Sequence, residues 1–364
     1  METKKIIELK MGELFSGAGG LALGAQNAKA ETESEIYKIK HVWANDLNED
    51  ACKTYRRNIK IHPDNVICKD VRNLDIASLQ PIDVFAYGFP CNDFSNVGKR
   101  KGFEGEYGPL YIYGVKVLSK FNPLFFVAEN VSGLRSANSG KAFAKILKDL
   151  ENAGKGYNLT VHEFKAEEYG VPQKRHRIII VGFRKDLHKT FKVPAPTHKD
   201  SYIPAKAVLE NIPEDAPNHE YTKQSKIVVE RLKRIKPGQN IWDVNDFLPP
   251  ELRLNVKGAR LSQIYRRLHP DRPSYTVTGS GGGGTHIYHY REPRALTNRE
   301  RARLQTFPDN FIFEGSKESV RKQIGMAVPP KLAEIIFTAC LKTLAGIEYP
   351  SIEPFLGSCK PLLS

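Results

Sequence analysis

A cysteine directly after a proline, in Gly88-Phe89-Pro90-Cys91-Asn92-Asp93-Phe94-Ser95, is the first residue with a claim to chemistry. The run before it, Asp83-Val84-Phe85-Ala86-Tyr87, reads as a strand. Cys91 therefore stands at the C-terminal mouth of a sheet, where a thiolate can act as a nucleophile. Pro90 fixes the local chain direction. A buried packing thiol is the plainer alternative and stays open. Glu129, in Ala128-Glu129-Asn130-Val131, closes the most apolar strand candidate, Leu124 to Ala128. A carboxyl beside apolar walls can be raised in pKa and donate a proton, or it can simply cap a helix. Arg175 and Arg177, in Gly170-Val171-Pro172-Gln173-Lys174-Arg175-His176-Arg177, alternate onto one strand face, toward whatever lies in the cleft.

A second group of residues suits a cofactor. Leu14-Phe15-Ser16-Gly17-Ala18-Gly19-Gly20-Leu21 puts glycines between a strand and a helix, where a ligand can approach the backbone and meet free N–H groups. A tight structural turn needs the same residues. Asp46 closes the next strand, in the position of an acid that holds ribose hydroxyls, or of a helix cap. Asp70, in Lys69-Asp70-Val71, ends a possible third strand or faces solvent.

The elements that carry these residues alternate. Short strands at Gly12–Phe15, His41–Ala44, Asp83–Tyr87 and Leu124–Ala128 are separated by helical stretches to about Ala28 and over Glu49–Asn58. Phe143, Ile146, Leu147 and Leu150 fall on one helical face, and Val161–Phe164 with Arg177–Val181 form a possible strand pair. Alternation of this kind implies an α/β fold around a parallel sheet. From about Arg184 prolines become dense and alternation stops, and helices return at Thr297–Thr306 and Lys331–Leu344. An α/β domain interrupted by an irregular one is the simplest arrangement.

Charge is the unusual bulk property. The 364 residues carry 55 Lys+Arg against 41 Asp+Glu, a net charge of +14, which favours polyanionic partners, nucleic acid first. Between Gly170 and Arg272 there are 21 basic and 11 acidic residues, so 21 − 11 = +10 lies in that stretch. No run of apolar residues approaches a membrane span, and the N-terminus lacks an apolar signal segment. Five scattered cysteines fit a reducing cytoplasm, with neither a disulfide framework nor a metal site.

Taken in order, the LFSGAGG, GFPC, ENV and GVPQKRHR blocks, the Arg299–Pro308 run and Gln323–Pro330 resemble the cytosine-C5 DNA methyltransferases of bacterial restriction–modification type. The resemblance covers residues 11–183 and 266–343. It implies a Rossmann-like S-adenosyl-L-methionine-dependent methyltransferase domain, residues 1–185 completed by 320–364, with a smaller irregular target-recognition domain at 186–319. It implies Phe15, Gly17, Gly19, Gly20 and Pro90 around the cofactor, Asp46 at its ribose and Asp70 near its adenine. Cys91 would be the nucleophile, Glu129 the acid at cytosine N3, and Arg175 and Arg177 the charged brace of the pocket. Glycines and basic residues at 96–108 would form a lid behind a flipped base.

Asn92 and Met326 depart from the family's usual Gln and Asn, which implies altered packing. Glu300 and Arg303 would brace the two domains. Expected DNA contacts are Arg231, Lys233, Arg234, Lys236, Arg253, Lys257, Arg260, Arg266 and Arg267; Thr278–Thr285 is a loop pressed on DNA or a plain connector. A monomer bound to double-stranded DNA in the cytoplasm is expected, with a cognate restriction endonuclease acting on the same site. The alternatives are an RNA methyltransferase, a fold that has lost catalysis, and, remotely, a nicotinamide oxidoreductase.

Overall fold

The computed structural model describes residues 4–90, 110–131, 133, 140–255 and 261–356. Cys91, Asn92, the segment 96–108, Lys257 and Arg260 lie outside the described residues. The chain divides into two compact units. The first comprises residues 1–165, 176–196 and 330–364, the second 166–175 and 197–329.

The first unit is built on an eight-stranded sheet. Its strands are β1 (Lys5–Leu14), β2 (Lys29–Glu31), β3 (Glu35–Asp46), β4 (Val66–Cys68), β5 (Val84–Tyr87), β6 (Phe125–Val131), β7 (Tyr157–Lys165) and β8 (His176–Arg184). They run in the order β2-β3-β1-β5-β6-β8-β7, with β4 beside β3. The centre, β3-β1-β5-β6, is parallel as the alternation implied; β8 pairs antiparallel with both β6 and β7, and β2 with β3. The sheet is therefore mixed. Its last strands follow one another without the long crossover that a parallel pair needs.

Helix α1 (Gly20–Asn27) follows β1, and α2 (Glu49–Asn58) follows β3. In α2 Asn48 caps the N-terminus, with acids in the first turn and arginines in the last, which is the charge order a helix dipole favours. Helices α3 (Tyr111–Phe121) and α4 (Lys141–Glu151) pack on each other. Buried Phe85, Tyr87, Phe126, Phe143, Ile146, Val117 and Leu118 form one core with the strands.

The second unit has little regular structure. It holds α5 (Lys206–Leu209), α6 (Lys226–Arg234), α7 (Asn298–Leu304) and α8 (Lys317–Met326), around a small core that includes Leu232, Ile235, Ile241, Leu252, Tyr265 and Tyr288. The chain then returns to the first unit in α9 (Pro330–Ala345), which packs against α1 so closely that a Cβ on Gly24 would fall 2.4 Å from that of Ala333. An 18-residue window in 317–345 has mean hydropathy 1.5 although no uninterrupted apolar run spans it, and 67% of it is buried inside the fold. Its apolar residues are core rather than a free span.

Candidate active site

Parallel pairing of β5 with β6 puts Tyr87 opposite Ala128, so the chain leaving β5 passes alongside Glu129. A Cβ on Gly88 would stand 3.3 Å from Glu129 Oε2, so the chain here runs close against that carboxylate. One residue further, buried Phe89 accepts a hydrogen bond at its carbonyl from Asn130 Nδ2, at 3.1 Å. The Asn130 Oδ1 in turn accepts from the Val131 amide at 2.8 Å. Asn130 thus ties the end of β6 to the segment that leads into half-buried Pro90 and then Cys91.

Antiparallel pairing of β6 with β8 sets Glu129 opposite Ile179, and Arg177 is the diagonal neighbour on the same face. The Arg177 Nε lies 2.7 Å from Glu129 Oε1, with the two side chains 13% and 12% exposed. The Nε–H is not aimed at that oxygen, so the contact is an ion pair rather than an aligned hydrogen bond. Arg177 also donates from Nη1 to the His176 carbonyl at 2.7 Å. Breaking a largely buried pair by deleting one partner costs several kcal/mol, because it strands the other charge.

Arg175 does not share that strand face, because β8 begins only at His176. It belongs to the second unit, is 1% exposed, and donates to Val277 O at 3.1 Å and Gly325 O at 2.8 Å. Its amide donates to Glu167 at 3.3 Å. The guanidinium is thereby committed to holding backbone of its own unit, and the same-face alternation does not hold.

Around the glycine turn, Phe15, Gly17 and Gly19 all have positive φ, 53°, 52° and 92°. The Gly17 amide donates to Asp46 Oδ2 at 2.8 Å, and Asp46 Oδ1 accepts from the Asn48 amide at 2.8 Å. Burial raises the Asp46 pKa, and these backbone donors pull it back. Asp70, one turn past β4, is gripped by Arg72, Nη2 to Oδ2 at 2.6 Å, and this holds its carboxyl below the usual range. Arg72 is a partner that the sequence reading missed; its position two residues on was the available signal.

Glu13 was also missed. It is 1% exposed at the end of β1, accepts from Tyr55 Oη at 2.9 Å, and is pushed up to about 8 chiefly by burial, with the nearby Asp46 adding to it. Glu300 and Arg303 were expected to brace two domains, yet their partners are within the second unit: Arg294 for Glu300, and Asp309, Val208 O and Glu210 O for Arg303. Met326 is 78% exposed at the end of α8.

Among the expected DNA contacts, Arg267 is buried and donates to four carbonyls, those of Leu232, Ile235, His289 and Tyr290. Arg231 holds Leu252 O and Arg253 O, and Arg253 holds Leu248 O. Lys233 and Arg234 pair with Glu230, and Arg266 stacks over Tyr275. Lys236 is exposed.

A profile of C-5 cytosine-specific DNA methylases matches residues 9–342. The chain belongs to that family. It is 63% identical over 356 residues to the type II methyltransferase M.BbvI of Brevibacillus brevis, spanning 95% of this chain and 94% of the relative. With M.NgoFVII of Neisseria gonorrhoeae it is 43% identical over 88% of this chain and 83% of the other. The fold resembles a candidate DNA modification methyltransferase from an Escherichia coli prophage, TM-score 0.71 at 24% identity over 93% of this chain and 99% of that one. It also resembles the Dnmt2 methyltransferase of S. pombe, TM-score 0.61 at 16% identity over 92% and 98%.

This cytosine-C5 DNA methyltransferase takes its methyl group from S-adenosyl-L-methionine. The residues present fit that group. A Cβ on Gly17 would meet nothing within 4 Å, so the turn borders open space. Ser16 Oγ is buried there without a partner, and α1 starts with no side-chain cap, which leaves donors for a carboxylate.

Proposed function

We propose that the protein methylates C5 of a cytosine flipped out of a specific duplex DNA site, through a covalent bond from Cys91 to C6. The observation that carries this reading is the Glu129–Arg177 pair set against Gly88, three residues before Cys91. C5 of cytosine is too weak a nucleophile to take a methyl group unaided. Addition of the Cys91 thiolate to C6, with Glu129 giving a proton to N3, turns the ring into an enamine that is nucleophilic at C5. S-adenosyl-L-methionine, held by Phe15, the Gly17–Gly20 turn, Pro90, Asp46 and Asp70, supplies an electrophilic methyl when bound. Once C5 carries the methyl, water takes the C5 proton as the C6–S bond breaks and frees the thiolate, and N3 returns its proton to Glu129. Arg177 keeps Glu129 oriented. Arg175 acts at a remove, by fixing backbone of the second unit, which we read as the target-recognition part.

Relatives named as type II methyltransferases support a role in protecting host DNA within a restriction–modification system. We read the enzyme as a cytoplasmic monomer whose cognate endonuclease acts on the same site without binding it. The test is a duplex carrying 5-fluorocytosine in place of cytosine, incubated with protein and cofactor. Fluorine cannot leave as a proton does, so a denaturation-resistant protein–DNA adduct is expected, and none with Cys91→Ala. An adduct in Cys91→Ala, or methylation of normal plasmid DNA by that variant, would refute the assignment.

A further inference from the structure

In the second unit three nitrogens without hydrogen-bond partners belong to residues that interact electrostatically, and two of them lie beside the glycine-rich segment 278–285. Arg301, on α7, is 1% exposed and its Nη1 has no hydrogen-bond partner. Nε of Arg321, on α8, and Nδ1 of His286 are likewise buried and unpartnered. His286 and Arg321 are neighbours: a Cβ on Gly281 would stand 3.5 Å from His286 Nδ1 and 3.8 Å from Arg321 Nε. Arg301 and Arg321 repel each other, and both oppose a charge on His286.

Nothing acidic balances this cluster among the described residues. Glu300, the acid whose field Arg301 feels, is committed to Arg294 at 2.7 and 2.8 Å. Glu318 pairs with Lys322. The contrast with other buried arginines of this unit is direct. Arg267 spends its N–H groups on four carbonyls and Arg299 on three, those of Pro217, Pro308 and Phe311. A buried guanidinium with no acceptor is expensive, and a fold gains nothing from it until an anion arrives.

The segment beside the cluster, Gly279-Ser280-Gly281-Gly282, carries a single side chain. A Cβ on Gly325 would fall 2.0 Å from Gly279 N, and one on Gly279 would fall 3.1 Å from Lys322 Cα, so the segment is pressed onto α8. Past that contact the surface opens. Gly282 is exposed with nothing within 4 Å of its absent Cβ, while Gly281, His286 and Arg321 are partly exposed.

We propose that Arg301, Arg321 and His286, beneath Gly279–Gly282, form a seat for one backbone phosphate of duplex DNA. This rests on the reading of the protein as a DNA methyltransferase. A phosphodiester brings one negative charge and acceptor oxygens to donors that have none. Arg321 and His286 reach it at the edge, and Arg301 supplies positive charge from beneath, where low dielectric makes it count. Such a contact fixes register on the duplex and reads no base. It also accounts for glycine at 281, since a side chain there would crowd the space beside His286 Nδ1 and Arg321 Nε.

The test compares wild type with Arg301→Met and Arg321→Gln in the full chain. Binding to a mixed-sequence duplex of about 30 base pairs is followed by fluorescence anisotropy from about 50 to about 200 mM salt, alongside thermal melts. Each variant should lower the slope of log affinity against log salt by about 0.9, so its affinity falls about 3.5-fold less than that of wild type across this range. Arg301→Met should melt no lower than wild type, because it removes a charge the fold does not pair. Unchanged slopes in both variants would overturn the seat. A lower slope in Arg301→Met alone, with a lower melting point, would also overturn it, by showing a structural role. A wild type that methylates DNA while the variant slopes stay unchanged removes the seat alone; a wild type that neither binds nor methylates duplex removes the proposed function as well.

Discussion

Glu13→Gln should stabilise the first unit at alkaline pH and leave it nearly unchanged in acid. Glu13 is buried at the end of β1, two residues before Phe15, with its carboxyl pushed up to about 8 from an ordinary value of 4.5. An acid whose folded pKa is raised holds its proton in the folded chain while the unfolded chain has already lost it. Its contribution is therefore complete below about 4.5 and is lost as pH rises toward about 8, at about 1.4 kcal/mol per pH unit. Between pH 5.5 and 8 the wild type should lose about 3 kcal/mol by this route, and glutamine, which cannot ionise and still accepts from Tyr55, should lose none. The chain divides into two compact units, so the signal must belong to the right one. Trp43 is buried in the first unit and Trp242 lies in the second, so a Trp242→Phe background leaves Trp43 fluorescence as the reporter. Urea transitions across that pH range should show the gap between Glu13→Gln and Glu13 widening steadily. A gap independent of pH would mean that Glu13 ionises normally and that desolvation does not govern it.

Two further outcomes follow from the same geometry. Burial pushes His41 and His162 down to about 4, so each is neutral in the fold; their contribution is complete above about 6.5 and lost as pH falls toward about 4, about 3 kcal/mol apiece. With Glu13 losing stability on the other side, the Trp43 transition midpoint should peak near pH 6.5, and a midpoint still rising at pH 8 would contradict this. Arg267→Met should strand four carbonyls and destabilise the second unit by about 4 kcal/mol or more, read from Trp242, while the salt dependence of DNA binding stays unaltered; a shallower salt slope would return Arg267 to the DNA contacts.

Where local rules decide, the sequence was readable. Helix Glu49–Asn58 was legible to the residue because its cap and end charges are all local. The parallel strands at β5 and β6 were legible because they are continuous apolar runs bounded by turns. The orientation of β8 was not, since an antiparallel return depends on which edge the chain reaches. Nor was the separation of Arg175 from Arg177: the turn at Ala166–Tyr169 and the late start of β8 put adjacent basic residues into different units. Asp46 beside Gly17 was anticipated in place but not in bonding, because the donor lies 29 residues away.

The second unit was least legible, and its arginines explain why. With few helices and no sheet among the described residues, its loops still carry buried carbonyls that need donors. Arg175, Arg267 and Arg299 answer that need, each reaching carbonyls far along the chain, such as Gly325 from Arg175. Such bonds leave no periodic trace, so the stretch reads as a basic patch although part of its charge faces inward. The +10 between Gly170 and Arg272 therefore overstates what DNA can meet. Positive residues that hold carbonyls are spent; those such as Arg301 and Arg321, with donors left over, are the ones whose charge awaits a partner. Counting unspent donors, rather than basic residues, is the sounder guide to where a duplex lies.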